Sequence, residues 1–549
     1  MTTRMPSWLG FSSLLACFLL LGVHQSLQAQ ETRSPLTAAE SSGFRETTGY
    51  DDLMGFLAEV TGKSSKLHLT SMGISSEERS IPLVVVGAVD DPSPEGVKAS
   101  GKTRFYVQGG IHAGEISGKE ALLILLRELA GGQHAEWADS LVLLIAPLYN
   151  PDGNERVSPT NRRGQHGPVE GMGQRPNAMG LDLNRDQMKL DAPESRALVG
   201  LYSAYDPHLS VDLHTTNGSH HGYHLTYAPP LPPSTPREID EYLRGRWLPE
   251  ITRAVKDATG WDMYYYGGAR PARGDREAGW YTFSHQPRYV SNYIGLRNRF
   301  GILGEAYSYA SFEERIGISY WFTREVIEFG YRNASEVRAR TEQADARSIV
   351  GESLGVQFEV QRSDEPVTIL MGDVIEEENP VSGQRMLLRT DTQTPTEMYE
   401  YGTFRPTEVE TVPPAYFVPS HLTGVFELLA AHGIRTVAVH EAPSGLEVEE
   451  FRIDSIQTSE REYQGHQAQQ VWGEYGSPRP AALPRGTIMV PMDQPLARVA
   501  FRLLEPRSDD GLVAWGLLRE TLTAGQPYPI QRSVPGRVPG LSFGPDFDR

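Results

Sequence analysis

Cysteine is almost missing from this sequence: Cys17 is the only one in 549 residues. It sits in an apolar N-terminal run whose flanks mark it for removal, so the mature chain has none. That excludes disulfides, thiolate metal sites and a cysteine nucleophile. Any metal must then be held by His, Asp and Glu. Basic residues are also in deficit, 51 Lys and Arg against 70 Asp and Glu, a formal net charge of −19. Such a balance argues against nucleic acid as a partner and offers no basic patch to acidic membranes. Beyond the N-terminus no stretch is apolar enough to span a bilayer, so no transmembrane segment is expected in the mature chain. Internal repeats and low-complexity tracts are absent as well.

The N-terminus itself carries an address. Arg4 precedes an apolar run from Trp8 to Val23, followed by a polar exit ending Ser26-Leu27-Gln28-Ala29-Gln30. This is the pattern of a secretory signal over 1–29, which predicts export to the periplasm or the exterior. The run is short for a membrane anchor and lacks a basic stop-transfer flank. Leu14-Leu15-Ala16-Cys17 resembles a lipoprotein cleavage box, but the apolar run continues from Phe18 to Leu21, which weighs against lipidation.

A polar lead-in over 30–44 is expected to be weakly ordered. Tyr50 to Val60 reads as a helix. Ile81 to Val89, Phe105 to Gln108, Ser140 to Leu148, Leu209 to His214 and Phe300 to Ala306 read as buried strands. Helices are expected from about Ser117, over Pro193 to Tyr202, over Arg237 to Thr259 and over Phe312 to Arg340. Near-continuous apolar strands alternating with helices predict an α/β sheet covered on both faces. Between Asn150 and Asp191 the chain is rich in Gly, Pro, Asn and Arg with no apolar period, and a loop of that length is usually functional. After about Ala344 come short alternating runs, among them Val356 to Val360, Thr368 to Met371 and Arg435 to Val439, plus a helix over His421 to His432. The pattern predicts a β-rich accessory domain over 344–549.

Chemistry concentrates at strand ends. His112-Ala113-Gly114-Glu115 follows a strand and precedes a helix, and the flanking glycines let the backbone come close. An imidazole and a carboxylate so placed can face one metal ion. A polar turn before a helix N-terminus explains the same residues about as well, so the pattern alone decides little. His214 ends another buried strand at the same sheet edge. Two His and one carboxylate leave a fourth zinc position open, as in catalytic sites. Asp182 can accept a hydrogen bond from a ligating imidazole, and Asn184 and Arg185 suit a carboxylate ligand. Glu305 ends an apolar strand, where a carboxylate is costly unless paired or used. His220, His221 and His224 are candidates for a second metal site, with a polar loop beside the cleft the stronger reading. The aromatic run Trp261 to Tyr266 suits packing better than substrate stacking. The acidic run Glu376 to Glu378 reads as a solvated face.

The order His112-x-x-Glu115, Asn150-Pro151-Asp152-Gly153, Asp182-Leu183-Asn184-Arg185, His214, Glu305 resembles the zinc metallocarboxypeptidase family, the carboxypeptidase A-like peptidases. The resemblance covers about residues 45 to 340. It implies a mixed, mostly parallel twisted sheet flanked by helices, with a catalytic domain over 45–343. It further implies one Zn2+ per chain held by His112, Glu115 and His214, with Asp182 orienting His112. Asn184 and Arg185 would hold the free C-terminal carboxylate of a peptide substrate, and Glu305 would be the general base. The family's oxyanion arginine has three counterparts here, Arg162, Arg163 and Arg175, of which Arg163 is favoured. Its mobile tyrosine falls on Tyr281, Tyr289 or Tyr293, which spacing does not separate; Tyr289 is carried forward. The implied activity is removal of a C-terminal residue. The rivals are a zinc amidase acting on a cell-wall peptide or N-acyl amino acid, and a catalytically silent binding relative.

Overall fold

The computed structural model describes residues 1–2, 34–216, 218–440 and 445–534. The signal-like segment and Cys17 lie outside them. The described residues from Thr37 onward form one compact unit.

Its centre is an eight-stranded sheet. The strands are β1 (Leu67–Ile74), β2 (Ser80–Val86), β3 (Thr103–Gly109), β4 (Leu141–Ala146), β5 (Leu209–Thr215), β6 (Leu225–Ala228), β7 (Met263–Tyr265) and β8 (Phe300–Ala306). Their spatial order is β1-β2-β4-β3-β5-β8-β6-β7. The pairs β4–β3, β3–β5, β5–β8 and β6–β7 are parallel, and the others antiparallel. The expected mixed, mostly parallel sheet is therefore present. Three strands escaped the sequence reading. β1 is half exposed and polar in its middle, and β6 and β7 are too short to show a period.

Strand alternation sorts side chains to two faces. Val84, Val86, Phe105, Val107, Leu143 and Ile145 pack with α1 (Tyr50–Thr61), α2 (Ser117–Ala130), α4 (Leu248–Thr259) and α6 (Phe312–Arg332). Leu83, Val85, Tyr106, Val142 and Leu144 face the opposite way, into a cluster with α3 (Pro193–Tyr205) and α5 (Val290–Leu296). That second cluster also contains Tyr416, Val418, Leu429, Phe501 and Leu504. The C-terminal region therefore shares a core with the sheet, and about Ala344 marks a change of architecture rather than the start of a separate body.

That region is β-rich, as expected. β9 (Ser353–Gln361) pairs with β12 (Thr403–Thr411), and β10 (Val367–Glu378) with β11 (Arg385–Met398). A short sheet surrounds β13 (Ala415–Val418), flanked by α8 (Thr423–His432) and α9 (Ala497–Leu504). β14 (Phe451–Tyr463) and β15 (His466–Tyr475) form a hairpin. Several contacts tie this region to the half that carries the central sheet. Tyr293 Oη and His432 Nδ1 are 2.7 Å apart, Arg288 pairs with Asp510 at 2.7 Å, and Leu387 N–H donates to the Gly164 carbonyl at 2.9 Å.

Two boundaries differ from expectation. The long helix from Phe312 breaks at Asn333, and α7 (Ala334–Ala346) continues beyond it. The lead-in is ordered from Thr37. Thr37 and Glu40 make a capping box, Glu40 pairs with Arg127, and buried Glu120 accepts the Thr48 N–H at 2.7 Å. The tie comes from polar partners distant in sequence, which composition does not reveal.

Candidate metal centre and carboxylate clamp

The parallel register puts β3, β5 and β8 side by side, so their C-terminal ends share one edge. Glu305 lies directly opposite His214, and Gly109 opposite Leu213. After Gly109 the chain turns through Gly110 at φ +71° and reaches His112. Gly114 is required there, because a Cβ would lie 2.6 Å from the Gly173 carbonyl oxygen and 2.9 Å from Arg162 Cγ. The backbone of the 150–191 loop thus packs directly on the His112–Glu115 turn.

His112, Glu115 and His214 are buried, and one ligand atom from each lies within 4.8 Å of the others. Both imidazoles are held the same way. His112 Nε2 lies 2.9 Å from Asp182 Oδ1, and His214 Nε2 lies 2.7 Å from Asp212 Oδ2. Their Nδ1 atoms lie 3.0 and 2.8 Å from the two Glu115 carboxylate oxygens. If each Nε2–H donates to its aspartate, each Nδ1 lone pair faces a carboxylate lone pair. Such an arrangement is repulsive unless a proton or a metal cation lies between. The donor set therefore fits a divalent cation of zinc's type.

The electrostatics agree. Burial alone would raise the Glu115 pKa, yet His112, Arg162 and His214 hold it well below the usual carboxylate range. Burial opposes charge on His214, but Asp212 and Glu115 raise its pKa well above the ordinary value. Burial pushes the Glu305 carboxyl up to about 8, with His214 opposing and Glu115 adding. A cation in the cluster would pull Glu305 back down.

A cavity of about 160 Å³ opens onto this cluster, lined among others by Arg175, Asn184, Arg185, Tyr289 and Glu305. Sites for drug-sized ligands run to roughly 300–1,000 Å³, so this one takes about a single residue. A larger cleft of about 1110 Å³ adjoins it and shares Phe283 and Tyr289. Asn184 accepts the Val290 N–H on its Oδ1 at 2.9 Å, which leaves its amide N–H groups toward the cluster. Arg185 stacks over the Tyr289 ring at 4.1 Å and donates to the Asn184 carbonyl at 2.7 Å.

Among the tyrosines, Tyr289 lines the cavity. Tyr281 instead stacks on Tyr401 at 4.0 Å, and Tyr293 is buried against His432. Arg163 does not fit the expectation. It is exposed and outside the cavity lining, whereas Arg175 lines it and donates to Asp182 Oδ2 at 2.8 Å. Arg162 is pinned to Glu115 at 2.9 Å. The second-metal candidates are packed, not gathered: His221 lies on Tyr307, His224 on Trp261 and His220 on Tyr309. Among the described residues His112, Glu115 and His214 are the one such cluster. In the aromatic run Tyr264 stacks on Tyr223, while Tyr266 reaches the cavity wall. Glu376 to Glu378 are exposed, as expected.

Asp212 was missed by sequence reading. Its signal was available, because Asp212 and His214 alternate on one strand and so share a face. Gln108 donates to Asp212 Oδ1 at 2.9 Å, and Tyr106 donates in turn to Gln108 at 2.8 Å.

Residues 53–288 match the family model for peptidase M14, described as zinc carboxypeptidase. The match ends before Glu305, whose place rests on the strand register. The chain is 26% identical over 543 residues to carboxypeptidase 2 of Trichophyton rubrum, covering 93% of this chain and 91% of that one. It is 33% identical over 178 residues to carboxypeptidase D of Mus musculus, covering 30% of this chain and 12% of that protein. A solved carboxypeptidase A from Helicoverpa armigera is similar at TM-score 0.40 and 17% identity, over 59% of this chain and 81% of that one.

Proposed function

Because this chain is a zinc carboxypeptidase of the peptidase M14 family, we propose that it removes one residue at a time from peptides bearing a free C-terminal carboxylate. In this reading His112, Glu115 and His214 hold one zinc ion per chain. Bound there, zinc would polarise the scissile carbonyl and acidify a water molecule. Asp182 and Asp212 fix the imidazoles so that both Nδ1 atoms face the ion. Arg185 and Asn184 take the terminal carboxylate, and the distance from clamp to cluster selects the last peptide bond. Glu305 takes a proton from the attacking water and hands it to the departing amine. Arg175, on the cavity wall, meets the oxyanion that develops at the carbonyl.

The observation that carries the reading is the joining, in one cavity of about 160 Å³, of the His-Glu-His cluster, the half-buried Glu305 carboxylate and an Asn-Arg pair. Room for one residue next to a carboxylate clamp is what exopeptidase action needs. The test is hydrolysis of N-blocked dipeptides as free acids and as C-terminal amides. Free acids are expected to be cleaved and amides to react at least 100-fold more slowly, about 2.7 kcal/mol at 1.36 kcal/mol per tenfold. Equal rates would move the substrate to the amidase class. Arg4, the run from Trp8 to Val23 and the Ala29 exit support export of the mature enzyme. Retention of residues 1–29 by protein recovered from an export-competent host would contradict that.

A further inference from the structure

The C-terminal region has no assigned part in the chemistry, yet one of its turns reaches the metal site. Tyr463 pairs with His466 across the β14–β15 hairpin, so Gln464 and Gly465 form a two-residue turn. Both have positive φ, +51° and +80°. That is a type I′ turn, with a non-glycine residue in its left-handed first position. The Gln464 side chain points back into the catalytic half, where its Oε1 accepts the Asp182 backbone N–H at 2.8 Å.

Asp182 is a junction. One carboxylate oxygen holds His112 Nε2 at 2.9 Å and accepts the Asn184 N–H at 3.0 Å. The other takes Arg175 through two nitrogens at 3.0 and 2.8 Å. A single residue therefore sets the metal-ligand imidazole, the start of the clamp turn and the cavity arginine. The hairpin tip is itself fixed on both sides. His466 Nε2 lies 2.7 Å from Asp191 Oδ2, Tyr463 stacks with Trp515 at 6.1 Å, and Arg288 lies over the Trp515 ring at 4.3 Å.

We propose that Gln464 is a positioning residue of the active site: the β14–β15 turn holds the Asp182 backbone and, through it, His112, Arg175 and the Asn184–Arg185 clamp. The C-terminal region thereby completes the zinc site instead of merely flanking it. This deepens the zinc-peptidase reading and rests on His112 being a ligand. Wild-type protein that takes up no zinc would defeat that reading, whereas the variants below test the turn.

Two substitutions separate the hydrogen bond from the fold. Gln464→Asn suits the left-handed turn, since Asn-Gly is a favoured type I′ pair, but it is one methylene too short to reach Asp182. Gln464→Glu keeps an oxygen at the original reach. The measurements are zinc affinity by chelator competition, kcat and KM on a blocked dipeptide, and thermal stability. Gln464→Asn is expected to fold as stably as wild type and to lose about tenfold in zinc affinity, the lower end for residues supporting a ligand. Its kcat falls in step and KM rises with the loosened clamp, while Gln464→Glu stays close to wild type. Unchanged zinc affinity and kcat/KM in Gln464→Asn, or equal losses in both variants, would overturn the proposal.

Discussion

At the scale of single residues, the site is two imidazoles turned by two aspartates onto one glutamate. Replacing Asp212 by Asn keeps its shape but removes the charge facing His214. The expected cost is about 10–100-fold in zinc affinity, measured by chelator competition. Arg175 and Arg163 separate the structural reading from the sequence reading. Arg175→Ala should lower kcat by about 10²–10³-fold, as loss of an oxyanion donor does. Arg163→Ala should leave kcat unchanged, because that side chain is exposed and away from the cavity. The reverse pattern in steady-state kinetics would restore Arg163. Residues at strand ends were legible, since His112, His214 and Glu305 each follow an apolar run that fixes where the side chain emerges. Arg175 was among the three arginines the sequence offered but could not be chosen over Arg163, because the 150–191 loop has no period from which a side-chain direction can be read.

At the scale of elements, the site depends on strands packed close enough to bring three ends together. Gly304, next to Glu305 on β8, is one such contact. A Cβ there would lie 2.5 Å from the Phe322 ring on α6. Gly304→Ala should cost about 1–3 kcal/mol through overpacking, read from the urea midpoint. It should also reduce activity beyond that of a distant mutation with the same stability loss, because β8 cannot shift without moving Glu305. Unchanged stability and activity would mean that the β8–α6 contact yields freely. Central strands and most helices could be predicted because burial on both faces writes a continuous apolar run. The ends of α6 and the short strands β6 and β7 depend on neighbours that no local pattern encodes.

At the scale of the whole molecule, the catalytic half does not end where the sequence texture changes. Tyr106, Leu144, Tyr202 and Tyr293 share their cluster with Tyr416, Val418, Leu429 and Leu504. A chain ending at 343 would leave that apolar face to solvent, and contiguous exposed apolar patches promote aggregation. Expression of residues 37–343 should give aggregated protein without a cooperative unfolding transition, measured by circular dichroism against residues 37–534. A soluble, cooperatively folding and active fragment would show that the C-terminal region is dispensable. The β-rich texture after Ala344 was visible in the sequence. Its sharing of a core was not, because a buried β13 residue looks the same whichever partner covers it.

The most direct test of the account is zinc content and C-terminal hydrolysis measured together on wild type and Glu305→Gln. Glu305 faces the cavity from the strand position opposite His214 and is not one of the His112, Glu115 and His214 cluster. The account predicts about one zinc in both proteins, release of the C-terminal residue by wild type, and loss of turnover by at least about 10²-fold in the variant, the lower bound for a general base. A variant that keeps turnover, or one that loses its zinc, would contradict the separation of base from metal ligands on which the mechanism stands.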